Sequence, residues 1–190
     1  VDFIHPPEAD RDSNVNLFHW LWLLAVPFAV LALAGSSNAP GFVWKEEGFG
    51  YDVLEYHLQL PKEYRQLGRM TYLPHNVYAS FPLNVEMLYL HAMIVLDDDL
   101  DMGTVANSIH LLLGALTVAA IWAAARDIGR HAGVAAGVLT ATCGWLVYLS
   151  ALAYVEHGLL YFGSLSTGCL LRAIRMEINE SPANEPPHHA

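Results

Sequence analysis

Four long apolar stretches dominate this chain and restrict it to folds built from helices buried in lipid or against one another. They cover residues 17–34, 105–125, 134–152 and 158–174. A helix of about 20 residues rises far enough to cross a hydrocarbon core of ~30 Å. The sequence is 54% hydrophobic and only 15% charged, unlike a typical soluble domain. We therefore predict an all-α integral membrane protein with four transmembrane helices.

A long loop, residues 35–104, separates the first two predicted spans. Within it, residues 81–96 are apolar enough to suggest a further span, but they include the polar or helix-breaking residues Pro82, Asn84, Glu86 and His91. A span needs about 17 residues or more with few polar insertions. We therefore predict an amphipathic helix that lies along the membrane interface.

Basic residues set the predicted orientation. Arg126 and Arg130 follow the second span, and Arg172 and Arg175 end the fourth, so four spans place all of them on one side. The positive-inside rule makes that side the cytoplasm. The tails 1–16 and 176–190 then lie inside and the loop lies outside. The acidic N-terminal tail is unlike a signal peptide, so we predict a retained first span in a bacterial cytoplasmic membrane.

Candidate catalytic groups are concentrated in residues 51–91 of the outer loop. Asp52 and Glu55 are three residues apart, so a helix would carry both carboxylates on one face. The alternative is an amphipathic helix with a merely solvated polar face. In the four-span topology, the turn that contains Glu156 opens on the same side as Asp52. We therefore expect these acidic residues to converge.

The sequence argues against nucleic acid as a partner and leaves metal binding open. Its formal net charge is −10, and it lacks the clustered Lys and Arg that neutralise phosphates. His19 and His110 lie at different depths, so they cannot form a bis-histidine haem site. On the outer face, His57 with Asp52 or Glu55, and His157 beside Glu156, offer zinc-type ligands without diagnostic spacing. The acidic run at 97–101 is predicted to be a solvated loop, with a divalent-cation site as the alternative.

Small residues are spaced four apart on two predicted spans, at Gly133/Gly137 and Ser164/Gly168. Such patterns allow helix backbones to approach closely in membranes. They indicate packing within one bundle or docking of another membrane protein. Membrane lipid is the other expected partner.

The order of several short motifs resembles the GT-C class of lipid-linked-sugar glycosyltransferases. The resemblance is to its dolichyl-phosphate-mannose protein mannosyltransferase and aminoarabinose transferase branch. It covers nearly the whole chain and rests on Tyr51-Asp52, Tyr78-Ala-Ser-Phe-Pro-Leu83, the turn 126–131, and Tyr154-Val-Glu156. It implies transfer of a sugar from a polyprenyl-phosphate carrier to an acceptor on the outer face. Asp52 would then be the catalytic base, with Glu156 and Glu55 shaping the cavity.

Two departures from the family pattern leave an alternative function open. The larger is length, because family members have many more spans; we therefore expect an N-terminal module or a truncated relative, in which much of the donor site is missing. The other is the set of basic residues. Glu55 stands where family members commonly carry a basic residue, and the Phe-Pro-Leu element has no nearby Lys. Lys62, Arg65 and Arg69 could bind the lipid phosphate, since their spacing predicts one helical face; snorkelling over headgroups is the alternative. His57 and Tyr56 complete the candidate substrate-binding residues. The alternative function is a non-catalytic scaffold subunit that retains the GT-C-like helices.

Overall fold

The computed structural model describes residues 18–40, 50–96 and 102–180 of the chain. Within these ranges the protein is all-helical, with a helix content of 79% and no strand. The predicted tail 1–16, the acidic run 97–101 and residues 181–190 lie outside the described residues. The fold class is therefore confirmed as far as helical architecture goes.

The described helices follow one another along the chain in this order. The first is α1 (Val26–Ser36), preceded by a 3₁₀ segment at Trp20–Ala25. The loop region contains a π-helical turn (Val53–His57), α2 (Gln59–Leu67), a 3₁₀ turn (Val77–Ser80) and α3 (Glu86–Leu96). The remaining helices are α4 (Met102–Arg126), α5 (Arg130–Ala141), α6 (Gly144–Leu149) and α7 (Glu156–Glu180).

Only α4, among the described helices, is both long and apolar enough to cross a membrane. The first predicted span corresponds to Trp20–Ser36, which is apolar but shorter. The fourth lies inside α7, a helix of 25 residues that is less apolar than α4. Helix α3 has 11 residues, about 16 Å of rise, which is too short to cross.

The third predicted span is not one continuous helix, which corrects the sequence-based expectation. It is divided into α5 and α6 at Thr142 and Cys143. The Thr142 hydroxyl donates to the Val138 carbonyl at 2.9 Å, and Cys143 has an extended backbone. Hydrogen bonds of this type, from a side chain to a backbone carbonyl, compete with the backbone hydrogen bonds of the helix. Both cysteines, Cys143 and Cys169, are free thiols.

The contacts along α4 and α7 show that these two helices run parallel. His110 of α4 stacks on His157, Ala124 faces Gly168, and Asp127 pairs with Arg172. Helices α5 and α6 run in the opposite direction and connect the end of α4 to the start of α7. The first helical segment runs alongside α5 and α6, because Phe18 contacts His131 and Gly35 packs against Ala151.

This arrangement gives the helix bundle two chemically different ends. At one end lie Arg126, Arg130, Arg172 and Arg175, which we call the arginine end. The opposite end carries Glu156 and the loop region with Asp52, and we call it the acidic end. A buried cluster that includes Val53, Tyr89, Leu113 and Leu152 joins the loop region to the bundle there. The loop elements are therefore held in place by packing against the bundle.

The small residues of α5 are used for packing inside the chain. A Cβ at Gly133 would lie 2.4 Å from Arg126 Cγ, and a Cβ at Gly137 would lie 2.6 Å from Trp22 Cη2. On α7, a Cβ at Gly168 would lie 3.1 Å from Ala124 Cβ. Docking of a partner on the 133/137 and 164/168 faces stays a prediction.

Gly137→Ala should destabilise the protein, whereas Gly163→Ala should stabilise it. The first substitution forces the Trp22 ring to move, and overpacking of this kind costs about 1–3 kcal/mol. The second adds a methyl group with no atom within 4 Å, so the higher helix propensity of Ala contributes about 0.5–1 kcal/mol. Unfolding in detergent with increasing SDS measures both changes. Equal effects of the two substitutions would contradict the close approach at Gly137.

Candidate functional site

Asp52 stands at the start of an unusual turn at the acidic end. Gly50 has a φ of 76°, a conformation that favours glycine. Val53–His57 then form a π-helical turn, in which the Leu58 amide donates to the Val53 carbonyl at 2.9 Å. Such turns are rare and frequently occur at functional sites. This turn buries Val53 and His57 and leaves Asp52 half-buried.

Asn76 fixes the π-helical turn against the segment that follows α2. Its side-chain amide donates to the Glu55 carbonyl at 3.0 Å, and its side-chain oxygen accepts from the Tyr78 amide at 3.1 Å. Asn76 is itself buried. The Glu55 backbone is therefore held while the Glu55 side chain stays exposed.

A buried acid and histidine pair lies directly behind the turn. His57 Nδ1 is 2.8 Å from Glu86 Oε1, and the two side chains are only 5% and 3% exposed. The second carboxylate oxygen, Glu86 Oε2, is buried without a hydrogen-bond partner. Burying a carboxylate is costly unless it is paired. This pair therefore ties the π-helical turn to α3.

Aromatic rings surround the pair on the side of Asp52. Tyr56 stacks on Tyr78 with ring centroids 4.3 Å apart and contacts the His57 ring at 4.0 Å. The His57 ring also lies 5.2 Å from that of Tyr154. Tyr89 donates a hydrogen bond to the Tyr154 carbonyl, so α3 is joined to the segment just before Glu156.

The negative charges of three carboxylates contribute to the pKa shift of one phenol, that of Tyr56. Burial, followed by the charges of Asp52, Glu156 and Glu86, raises the pKa of Tyr56 to about 12. Tyr56 therefore keeps its proton at neutral pH and can donate a hydrogen bond. Asp52 and Glu156 are far apart in sequence, but Val53 and Tyr154 beside them belong to one buried cluster, so both carboxylates lie at the same end of the bundle.

Glu156 is the first residue of α7 and is half-buried. Its Oε2 accepts from the Val155 amide at 3.1 Å. A carboxylate at a helix N-terminus is stabilised by the unpaired amides and the dipole of that helix. Both Glu156 and Asp52 thus combine partial exposure with a fixed backbone, as a substrate-contacting carboxylate requires.

His157 does not face outward beside Glu156, which removes it from the zinc site considered above. It is fully buried and its ring stacks on His110 with centroids 4.1 Å apart. His157 Nδ1 is 2.8 Å from the His110 carbonyl oxygen. Among the described residues, no group of three His, Cys, Asp or Glu side chains could hold a metal ion.

The predicted basic face is also different in the structure. Lys62 and Arg65 belong to α2, but that helix ends at Leu67, and Gly68 adopts a left-handed φ of 63°. Arg69 lies beyond this turn, so the prediction that it shares a helical face with Lys62 and Arg65 is wrong. Lys62 is exposed and lines a cavity of about 220 Å³ with Pro40, Met93 and Met102.

Glu86 and Asn76 were missed as site residues. Glu86 was noted only as a polar insertion in an apolar stretch, although a carboxylate there needs a partner. That partner, His57, is 29 residues away in sequence. Nothing in the local pattern identifies such a pair.

Comparison with known proteins adds no assignment to this geometry. No family model, curated protein or solved structure matches the chain. The GT-C likeness therefore remains a resemblance of sequence motifs.

Proposed function

We propose that this chain is a GT-C-like glycosyltransferase module that moves a sugar from a polyprenyl-phosphate carrier to an acceptor on the outer face. The observation that carries the proposal is that Asp52 and Glu156 lie at the same end of the bundle, since Val53 and Tyr154 beside them belong to one buried cluster; the charges of both carboxylates also raise the pKa of Tyr56. These carboxylates are the two that the resemblance selects. They lie at the end of the bundle opposite the arginines, which is the outer end in a four-span topology.

In this proposal Asp52 is the general base. It takes the proton of the acceptor hydroxyl as the oxygen attacks the anomeric carbon, because an unassisted alcohol is a poor nucleophile at neutral pH. The bond from that carbon to the carrier phosphate breaks, and polyprenyl phosphate leaves. Glu156 and Glu55 shape the acceptor side of the cavity, and the Tyr56 hydroxyl donates a hydrogen bond to the substrate.

The negative charge that grows on the leaving phosphate must be stabilised by cations. Lys62 and Arg65 lie three residues apart on α2 and therefore project from one helical face, whereas Arg69 approaches from the segment beyond Gly68. A divalent metal is the other candidate. The negative charges of Asp52, Glu156 and Glu86 that act on Tyr56 disfavour a phosphate there, so we assign phosphate binding to the basic residues of α2.

Exposed apolar helices support placement in a membrane. The described part of α7 exposes large apolar side chains along its length, and Leu159 is 75% exposed. The first helical segment likewise exposes Leu23, Leu31 and Leu33. Exposed apolar surface on this scale marks contact with lipid or with another protein. We propose four spans, two of them made by short or broken helices.

Reconstitution tests the catalytic proposal. The full chain in liposomes should transfer a radiolabelled sugar from a polyprenyl-phosphate monosaccharide to an acceptor and release polyprenyl phosphate. A panel of carriers with different monosaccharides is needed because the sugar is unassigned. Empty liposomes and heat-treated protein are the controls. Absence of turnover with every carrier and acceptor would reject catalysis by the isolated chain.

A non-catalytic scaffold role is the second candidate, and the basic residues favour it. Arg69 does not extend the Lys62/Arg65 face as a phosphate clamp would require. Under this proposal, the chain should co-purify from native membranes with protein partners that crosslink to a cysteine introduced at Ser164. A monodisperse lone chain after mild solubilisation would contradict the scaffold role.

A further inference from the structure

The arginine end contains a second feature that the glycosyltransferase proposal does not use. Arg126, Arg172 and Arg175 all act on Asp127: the hydrogen bond from Arg172, with the charges of all three, holds the pKa of Asp127 below its usual value. Four of the nine Lys and Arg residues of the chain lie at this end when Arg130 is included. Within the described ranges, Asp127 and Glu177 are the acidic residues that lie no more than two positions from one of these arginines in sequence. In a chain with a net charge of −10, this is a local excess of positive charge.

A groove between α4 and α7 opens directly onto these residues. Its volume is about 120 Å³, its floor is formed by Ala120, Ala123, Leu165 and Gly168, and its mouth by Asp127 and Arg172. The groove exists because the residues along this seam are small. The groove is therefore apolar along its floor and charged at its mouth, which matches the acyl chain and the headgroup of a phospholipid.

Arg172 has further N–H donors that can bind an anion at the mouth of the groove. It donates to Asp127 through Nε at 3.1 Å and Nη2 at 3.0 Å, and its side chain is 65% exposed. A guanidinium has five N–H donors, so three remain. Arg175 donates to the Asp127 backbone carbonyl and holds a second positive charge beside the first.

We propose that this groove binds an anionic phospholipid of the cytoplasmic leaflet, with its headgroup phosphate on Arg172 and Arg175 and the first methylene groups of an acyl chain in the groove between α4 and α7. The inference rests on the membrane placement proposed above, but not on glycosyl transfer. Charge complementarity selects an anionic lipid over a zwitterionic one, at about 1 kcal/mol for each basic residue near the surface. The Asp127 carboxylate offsets part of this attraction.

Cys169 lines the groove and provides the reporter. In a Cys143→Ser background, a bimane label on Cys169 should be quenched by dibrominated phosphatidylglycerol at a lower mole fraction than by dibrominated phosphatidylcholine. We expect the mole fraction of lipid needed for half-maximal quenching to differ about fivefold between the two lipids for each net positive charge at the mouth of the groove. The matched control is the label on Cys143 in a Cys169→Ser background, which should show no preference between the two lipids.

Two substitutions separate a lipid site from a purely structural ion pair. Arg172→Gln should reduce the preference for phosphatidylglycerol about fivefold, whereas Asp127→Asn should increase it by a similar factor because a negative charge is removed. Native mass spectrometry of the unlabelled proteins, counting retained phosphatidylglycerol, tests the same order without a probe in the groove.

Equal quenching by both lipids, or a preference that neither substitution changes, would overturn the lipid site. Absence of quenching by either lipid at Cys143 and Cys169 would overturn the membrane placement as well. The turnover assay is independent of these outcomes, so failure of catalysis leaves the lipid proposal intact.

Discussion

Asp52→Asn should lower the rate of glycosyl transfer by about 10²–10⁴-fold, the usual contribution of a general base. The amide has nearly the same size as the carboxylate but cannot take the acceptor proton at neutral pH. The loss should therefore appear in kcat, with KM for the carrier changed little. Initial rates with the reconstituted full chain, at varied carrier concentration, measure both constants.

The substitution should leave the fold intact. Asp52 precedes the π-helical turn, but its side chain makes no capping hydrogen bond there, so the amide removes no stabilising contact of that kind. Glu177→Gln, an exposed acid at the opposite end of the bundle, is the matched control and should retain full activity. Wild-type rates in Asp52→Asn would exclude the assigned base.

The apolar stretches located the helices correctly but did not reveal where helices end. Hydrophobic runs report burial in lipid or protein, and they look the same in a continuous helix and in a broken one. The break at Thr142 and Cys143 depends on backbone geometry that polar side chains support locally. The end of α2 was easier to predict, since a glycine after the last helical residue is a common helix stop, often with a basic residue in the last turn. Gly68 follows Leu67, and Arg65 lies in that last turn.

The features of the candidate site that follow from the order and direction of the helices could be predicted from the sequence. Those that depend on tertiary packing could not. Counting helices was enough to bring Asp52 and Glu156 to one end. His157, by contrast, follows Glu156 directly and points into the core, because successive residues on a helix face different directions. Sequence spacing alone could not show which of these two neighbours would be buried.

His57→Leu should destabilise the protein by about 3–5 kcal/mol, the usual cost of removing one partner from a buried pair that contains a carboxylate. Glu86 would keep its carboxylate at 2% exposure after losing the contact to His57, and its Oε2 already has no partner. The Glu86 carboxyl group would then be buried without a hydrogen-bond partner, which is costly. SDS-induced unfolding at neutral pH measures the loss.

The double substitution His57→Leu with Glu86→Leu distinguishes the unpaired carboxyl group from the lost packing of the histidine ring. Removing both partners eliminates the buried carboxyl group, so the double variant should recover most of the stability that the single one loses. His75→Leu is the matched control: His75 pairs with Glu63 at 2.9 Å, but its side chain is 63% exposed, and an exposed pair contributes about 0–1 kcal/mol. Similar losses in His57→Leu and His75→Leu would show that Glu86 is accessible to water, and the π-helical turn would then need another anchor to α3.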